Sequence, residues 1–225
     1  MLKPKKEIFK KEIKRDPFLE TVDKIEANIE KNSSHYLKVF GGIVLFVIII
    51  SFLNNSRNLN KQMVSSSIGT ALISLDKGDS ENAKFQFEAL LNEHSGTSGI
   101  EVVYYYLGKI EYDQGNYTSS KEYLEQFINS GHSVDLLNFG SVVMISDILF
   151  MSENYLEAID VIDESIKKSS WSFLQQRLQY EKAKLLIKSG KNSLGIDLLN
   201  KLNQAPDISA SLKSNIETFI GKFGV

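Results

Sequence analysis

Three histidines and several carboxylate pairs are the residues of this chain that could do chemistry. A metal centre or a Ser/His/Asp relay needs its groups converging within hydrogen-bonding or coordination reach. His35, His94 and His132 each stand alone, the first beside a long apolar stretch and the other two in turns, so neither arrangement can be built from them. Glu153/Glu157 and Asp160/Glu164 are spaced i, i+4, which puts each pair on one helical face where general acid–base work is possible. The same spacing is far more often a solvated surface. The sequence has no cysteine, which excludes thiol catalysis, thiolate metal sites and disulfides, and it has no glycine loop to cradle a phosphate. The expectation is a protein that is not an enzyme and holds no cofactor or metal.

Contact chemistry is better represented. Glu101 to Tyr117 reads EVVYYYLGKIEYDQGNY, with five tyrosines. Consecutive helical residues point about 100° apart, so Tyr104, Tyr105 and Tyr106 cannot make one platform. Tyr105, Lys109 and Tyr112 do share a face, at steps of four and three.

The elements that must position these residues are helices. The 225 residues include only three prolines, are 42% hydrophobic and 24% charged, and carry a net charge of −2, which argues against a nucleic-acid partner. Residues 1–38 hold ten Lys/Arg against seven Asp/Glu, and the part after Arg57 holds fifteen against twenty-one. Between them Val39–Ser56, VFGGIVLFVIIISFLNNS, carries no charge. Nothing else in the chain is apolar enough to surround it as a core helix, so residues 36–56 read as a transmembrane helix, with Lys38 snorkelling at its edge. The long basic head and the absence of a cleavage site argue for an anchor, not a cleaved signal. The basic excess before the span places residues 1–35 in the cytoplasm and the C-terminal part outside it, in the periplasm if the source is a Gram-negative bacterium. Within the head, Asp16-Pro17 starts a helix whose stripe Phe18, Val22, Ile25 and Ile29 fits a partner helix or self-association, though a stripe this short more often packs locally.

Beyond the span the sequence repeats. Gly78, Gly115, Glu153 and Gly190 mark turns 37, 38 and 37 residues apart. Five positions after each stands a small residue (Ala83, Ser120, Ala158, Gly195), and four further on an apolar one (Phe87, Leu124, Ile162, Leu199). Three beyond come Leu90, Phe127, Ser165 and Leu202, in which Ser165 is a defect. Tyr104, Leu107-Gly108 and Gly115-x-Tyr117 make the second copy resemble the tetratricopeptide repeat, a helix-turn-helix unit of about 34 residues. The small residue lets two helices approach closely, and the large one fills the space to the next repeat.

The fold expected is therefore all-α, with a single N-terminal transmembrane helix followed by a TPR-like α-solenoid of about four repeats over 57–207 (64–100, 101–138, 139–175, 176–207). Residues 208–225, with Leu212, Ile216, Phe219 and Ile220, form a capping helix. The plan as a whole, and the stretch from Trp171 through Arg177, Glu181, Leu185 and Leu186 to Gly190, is similar to the bacterial YfgM-like proteins, ancillary subunits of the SecYEG translocon. That resemblance implies a periplasmic module associated with the translocon and with membrane-anchored chaperones.

Tetratricopeptide arrays bind along a groove lined by their first helices. Transferred position by position, the groove residues here are Val102, Tyr105, Lys109, Tyr112 and Asp113 in the second repeat. Asp147, Phe150 and Met151 follow in the third, and Arg177, Tyr180, Lys184 and Lys188 in the fourth. Aromatics mixed with both charge signs suit an extended or loosely folded polypeptide. The functional expectation is a scaffold for protein partners at the extracytoplasmic face; the alternative is a structural or oligomerisation component of another envelope assembly, in secretion or division.

Overall fold

The structure is a computed structural model that describes residues 17–131 and 134–223. The basic head through Asp16, and His132, lie outside the described residues. The chain divides into two units, Met1–Arg57 and Asn58–Val225.

The first unit contains helix α1 (Pro17–Lys31) and the beginning of helix α2 (Ser33–Asp76). Val22, Ile25 and Ile29 lie along α1 as an exposed stripe. From Leu37 onward α2 is long and apolar enough to cross a membrane, and its apolar window is not buried within the protein. The sequence reading ends a span at residue 56 and opens the repeats at 57, whereas α2 is one helix through that point. Residues 54–67 contain neither proline nor glycine, so nothing there breaks it.

The second unit is an array of helix pairs. The part of α2 from residue 58 pairs with α3 (Ser80–His94), α4 (Glu101–Asp113) with α5 (Tyr117–Asn129), α6 (Asp135–Met151) with α7 (Tyr155–Lys168), and α8 (Ser172–Lys188) with α9 (Asn192–Asn203). The four turns are one device used four times. A backbone N–H just beyond each turn residue reaches back to a carbonyl five positions earlier: Asp79 to Ser74 at 3.0 Å, Asn116 to Glu111 at 2.8 Å, Asn154 to Leu149 and Lys191 to Leu186 at 2.9 Å. This is a Schellman closure, and it requires a left-handed residue between helices. Gly78, Gly115 and Gly190 supply it at φ 81°, 82° and 85°, and Glu153 adopts it at φ 62° without being glycine.

Close approach within each pair depends on small side chains from both helices. Ala83, Ser120, Ala158 and Gly195 are buried on the second helices, as the spacing predicts. Facing positions seven residues before each turn are small and buried too: Ala71, Gly108, Ser146 and Ala183. A Cβ on Gly108 would stand 2.6 Å from Leu124 Cγ, and one on Gly195 would stand 2.8 Å from the Ala183 carbonyl. Ser120 fits because its hydroxyl donates to the Gly108 carbonyl at 2.8 Å.

The core runs along the array as three clusters, each bridging neighbouring repeats. Phe87, Val103 and Leu107 anchor the first, Leu124, Ile145, Ile162 and Leu178 the second, and Leu199, Leu212 and Ile216 the third. The last includes α10 (Ala210–Phe223), which packs on α9 as a cap. At the other end Ile73 is 57% exposed, while its equivalents Ile110, Ile148 and Leu185 are 2%, 6% and 7% exposed. Among the described residues the first repeat has no preceding helix pair packed over that position.

Candidate protein-binding surface

The first helices lie side by side, α4 against α6 and α6 against α8, so their side chains meet in rungs. The Tyr112 hydroxyl on α4 donates to the Asp147 carboxylate on α6. Burial, and then that bond to a carboxylate, push the Tyr112 phenol well above its ordinary range. Phe150, one repeat on from Tyr112, receives the Lys188 ammonium of α8 at 5.5 Å from its ring centre. Arg177 of α8 stands 5.6 Å from both the Phe139 ring of α6 and the Phe173 ring of its own helix. Each rung joins an aromatic ring to an ionic group, an attraction that strengthens where water is displaced.

Tyr105 is expected from its register to look into the groove. Its ring is instead held at a repeat boundary, 5.8 Å from Phe127 and 5.2 Å from Tyr106. A Cβ at Gly140 of α6 would stand 2.8 Å from its hydroxyl, so a missing side chain one helix away makes room for this ring. Burial raises the Tyr105 phenol as well. Tyr180, its equivalent two repeats later, leans on α10, 6.2 Å from Phe219 and with its hydroxyl 3.5 Å from the Asn215 carbonyl. The cap thus occupies the place of a fifth first helix. The other two tyrosines of the run also pack between helices: Tyr106 stacks on Phe87 at 5.6 Å and Tyr104 tilts against Tyr123 at 6.5 Å.

Lys109 and Asp113 form an ion pair on the same helix at 2.5 Å, and both are substantially exposed. With Leu72 and Leu75 of the first repeat they line an open depression. Lys184 pairs with Glu181 at 2.5 Å and covers the Tyr180 ring at 5.1 Å. Met151, Asp113 and Lys188 are open to solvent, while Val102 is half-buried. The face therefore offers aromatic rungs with exposed charges at their ends.

Two features were not singled out from sequence. Glu111, buried on α4, accepts from Lys84 of the preceding repeat at 2.7 Å and from Asn116 at 2.8 Å, and ties repeat to repeat from inside. Asp207 accepts from Ser172 and Gln176, both at 2.8 Å, and fixes the start of the capping segment to α8. Neither has a periodic signature, because each joins residues of different offset in their repeats. Among the described residues no three His, Asp or Glu side chains gather as a metal site.

Residues 102–130, the second helix pair, match the tetratricopeptide repeat family model. The array is similar to a solved structure of a Podosopora anserina protein named as a kinesin light chain with nearly identical TPR-like repeats. The two are 15% identical over 69% of this chain and 76% of that one, with a TM-score of 0.51, a likeness of fold. A search of curated proteins gives no match. The fold is a TPR-like α-solenoid with one long apolar helix towards its N-terminus.

Proposed function

We propose that this chain is a non-enzymatic, membrane-anchored scaffold that holds protein partners on the face of its first helices. The anchor is the apolar part of α2, and the array stands on the extracytoplasmic side, in the periplasm of a Gram-negative cell. There it associates with the Sec translocon and with periplasmic chaperones, and raises the local concentration of a partner or emerging chain at the membrane. The observation that carries this reading is the run of rungs Tyr112–Asp147, Phe150–Lys188 and Phe139–Arg177. Aromatic and ionic groups paired between first helices across three repeats, two pairs near the turns and Phe139–Arg177 at the other end of the helices, offer an extended polypeptide separate contacts at low entropic cost.

The test is in-cell photocrosslinking from Lys109, Asp113 and Lys188, which reach solvent more freely than Tyr105. Recovery of translocon subunits or chaperones is expected, and failure from all three positions would remove the groove proposal. Topology can be checked without background because the chain has no cysteine. A single cysteine at Thr118 should react with a membrane-impermeant maleimide on intact spheroplasts, and labelling only after lysis would reverse the orientation.

A second reading, a structural component of another envelope assembly, is favoured by the open end of the first repeat. There Leu59, Met63 and Ile73 are each more than half exposed. Ile73→Asp should dissociate a homo-oligomer of the full chain in detergent on that reading, and should leave particle size unchanged on the first.

A further inference from the structure

The break in the repeat pattern at Ser165 leaves a hole. Leu90, Phe127 and Leu202 fill the same position in the other repeats and are 6%, 0% and 3% exposed. Ser165 stands there in the third, and it lines a cavity of about 390 Å³ between α5, α6, α7 and α8. That volume lies in the range of sites that take a ligand. The buried side chains Val142, Ile145, Leu174 and Leu178 form its floor. At its rim stand Glu125, Asp135 and Glu164 against the single ammonium of Lys168. Glu125 and Glu164 are held only loosely, each 3.7 Å from a lysine of its own helix.

We propose that this cavity is a second polypeptide-docking site, which takes a large apolar side chain flanked by lysine or arginine. The apolar floor favours an apolar side chain, with the polar groups of Asn129, Asn138 and Ser165 placed around it, while the excess of carboxylates at the rim selects a neighbouring cation. Exposed apolar side chains continue beyond the cavity on the same helix starts, Leu136 beside Asp135 and Trp171 two residues past Ser169. They extend the contact in the way a chain segment needs and a small molecule does not. The cavity lies at the ends of the helices away from the turns and shares Phe139 with the Arg177 rung; Ser165, Asp135 and Glu164 belong to the cavity and to no rung, so substitutions there test it separately.

The experiment pans a phage-displayed random-peptide library against the full chain in lipid nanodiscs. Wild type is expected to enrich clones in which Leu, Ile, Phe or Trp adjoins Lys or Arg. Ser165→Leu installs the residue type of the other repeats, and it should raise the melting temperature while cutting recovery of those clones by about tenfold or more, the equivalent of one lost apolar contact. Ser165→Ala should keep them. Asp135→Lys with Glu164→Lys, both at the rim and harmless to the core, should lose the same clones. Equal recovery on wild type and the rim variant, or enriched clones without the apolar–basic pair, would overturn the site.

Discussion

The Tyr112 hydroxyl and the Asp147 carboxylate, thirty-five residues apart in sequence, form one hydrogen bond between the first helices of successive repeats. The folded phenol is raised by burial and by this acceptor, so it keeps its proton at a pH where the unfolded chain has begun to lose it. The stabilisation is complete below the unfolded tyrosine value, near ~10, and is lost as pH rises through the higher folded value. Tyr112→Phe should cost about 1 kcal/mol at neutral pH and should flatten the alkaline fall of stability. Thermal melts of both proteins from neutral to strongly alkaline pH measure this; parallel curves would mean the bond carries nothing.

Glycine at the helix crossings is a packing requirement. Gly108→Ala drives a methyl into Leu124 and Gly195→Ala drives one against the Ala183 carbonyl. A side-chain neighbour can partly yield and a backbone oxygen can barely yield. Each should destabilise by about 1–3 kcal/mol, with Gly195→Ala the worse of the two, in urea titrations of the full chain.

Glu153 holds a left-handed conformation that glycine occupies in the other three turns. Glu153→Gly should relieve about 1 kcal/mol of steric strain and raise the melting temperature by about 2–4 °C. Glu153→Val, branched at Cβ, should lower it. A melting temperature indifferent to both would show that the turn absorbs the strain elsewhere.

The capping segment carries its own acid sensitivity. Bonds from Ser172, then from its own backbone N–H and from Gln176, hold the Asp207 carboxyl below the usual carboxylate range. Its contribution is therefore present above the unfolded value, near ~4, and is lost as pH falls through the lower folded one. Asp207→Ala should lower the amide protection factors of α10 at neutral pH to those that wild type shows only in acid. Ile216→Ala, at a fully buried position of the same segment, should cost about 2–4 kcal/mol at any pH.

How much of this was legible in the sequence follows from which contacts are local. The turns could be placed because a left-handed position calls for glycine, and the phase carried the reading through Glu153 where glycine is missing. The small residues at Ala83, Ser120, Ala158 and Gly195 could be placed for the same reason of register. Their partners at Ala71, Gly108, Ser146 and Ala183 keep an equal phase and could have been found by the same alignment. Tyr105 was harder, since the direction of its ring depends on the absent side chain of Gly140, a whole repeat away. The Ser165 defect was visible as a letter, but the space it leaves depends on whether four helices collapse around it. Helix α2 ran past its expected end because nothing in residues 54–67 interrupts it, although the composition changes there from apolar to polar.

The crossings also bear on how such an array can be inherited. Across each crossing the two facing residues are Ala with Ala, Gly with Ser, Ser with Ala, and Ala with Gly. Every crossing is made of two small residues, with neither identity fixed. Joining α6 to α5 would set Ser146 against Ser120, and joining α4 to α9 would set Gly108 against Gly195, one crowded and the other hollow. A helix pair moved as a unit keeps its own matched crossing, whereas some exchanges of single helices do not, so recombination breakpoints that preserve every crossing belong in the connections between pairs, away from the tight turns within them.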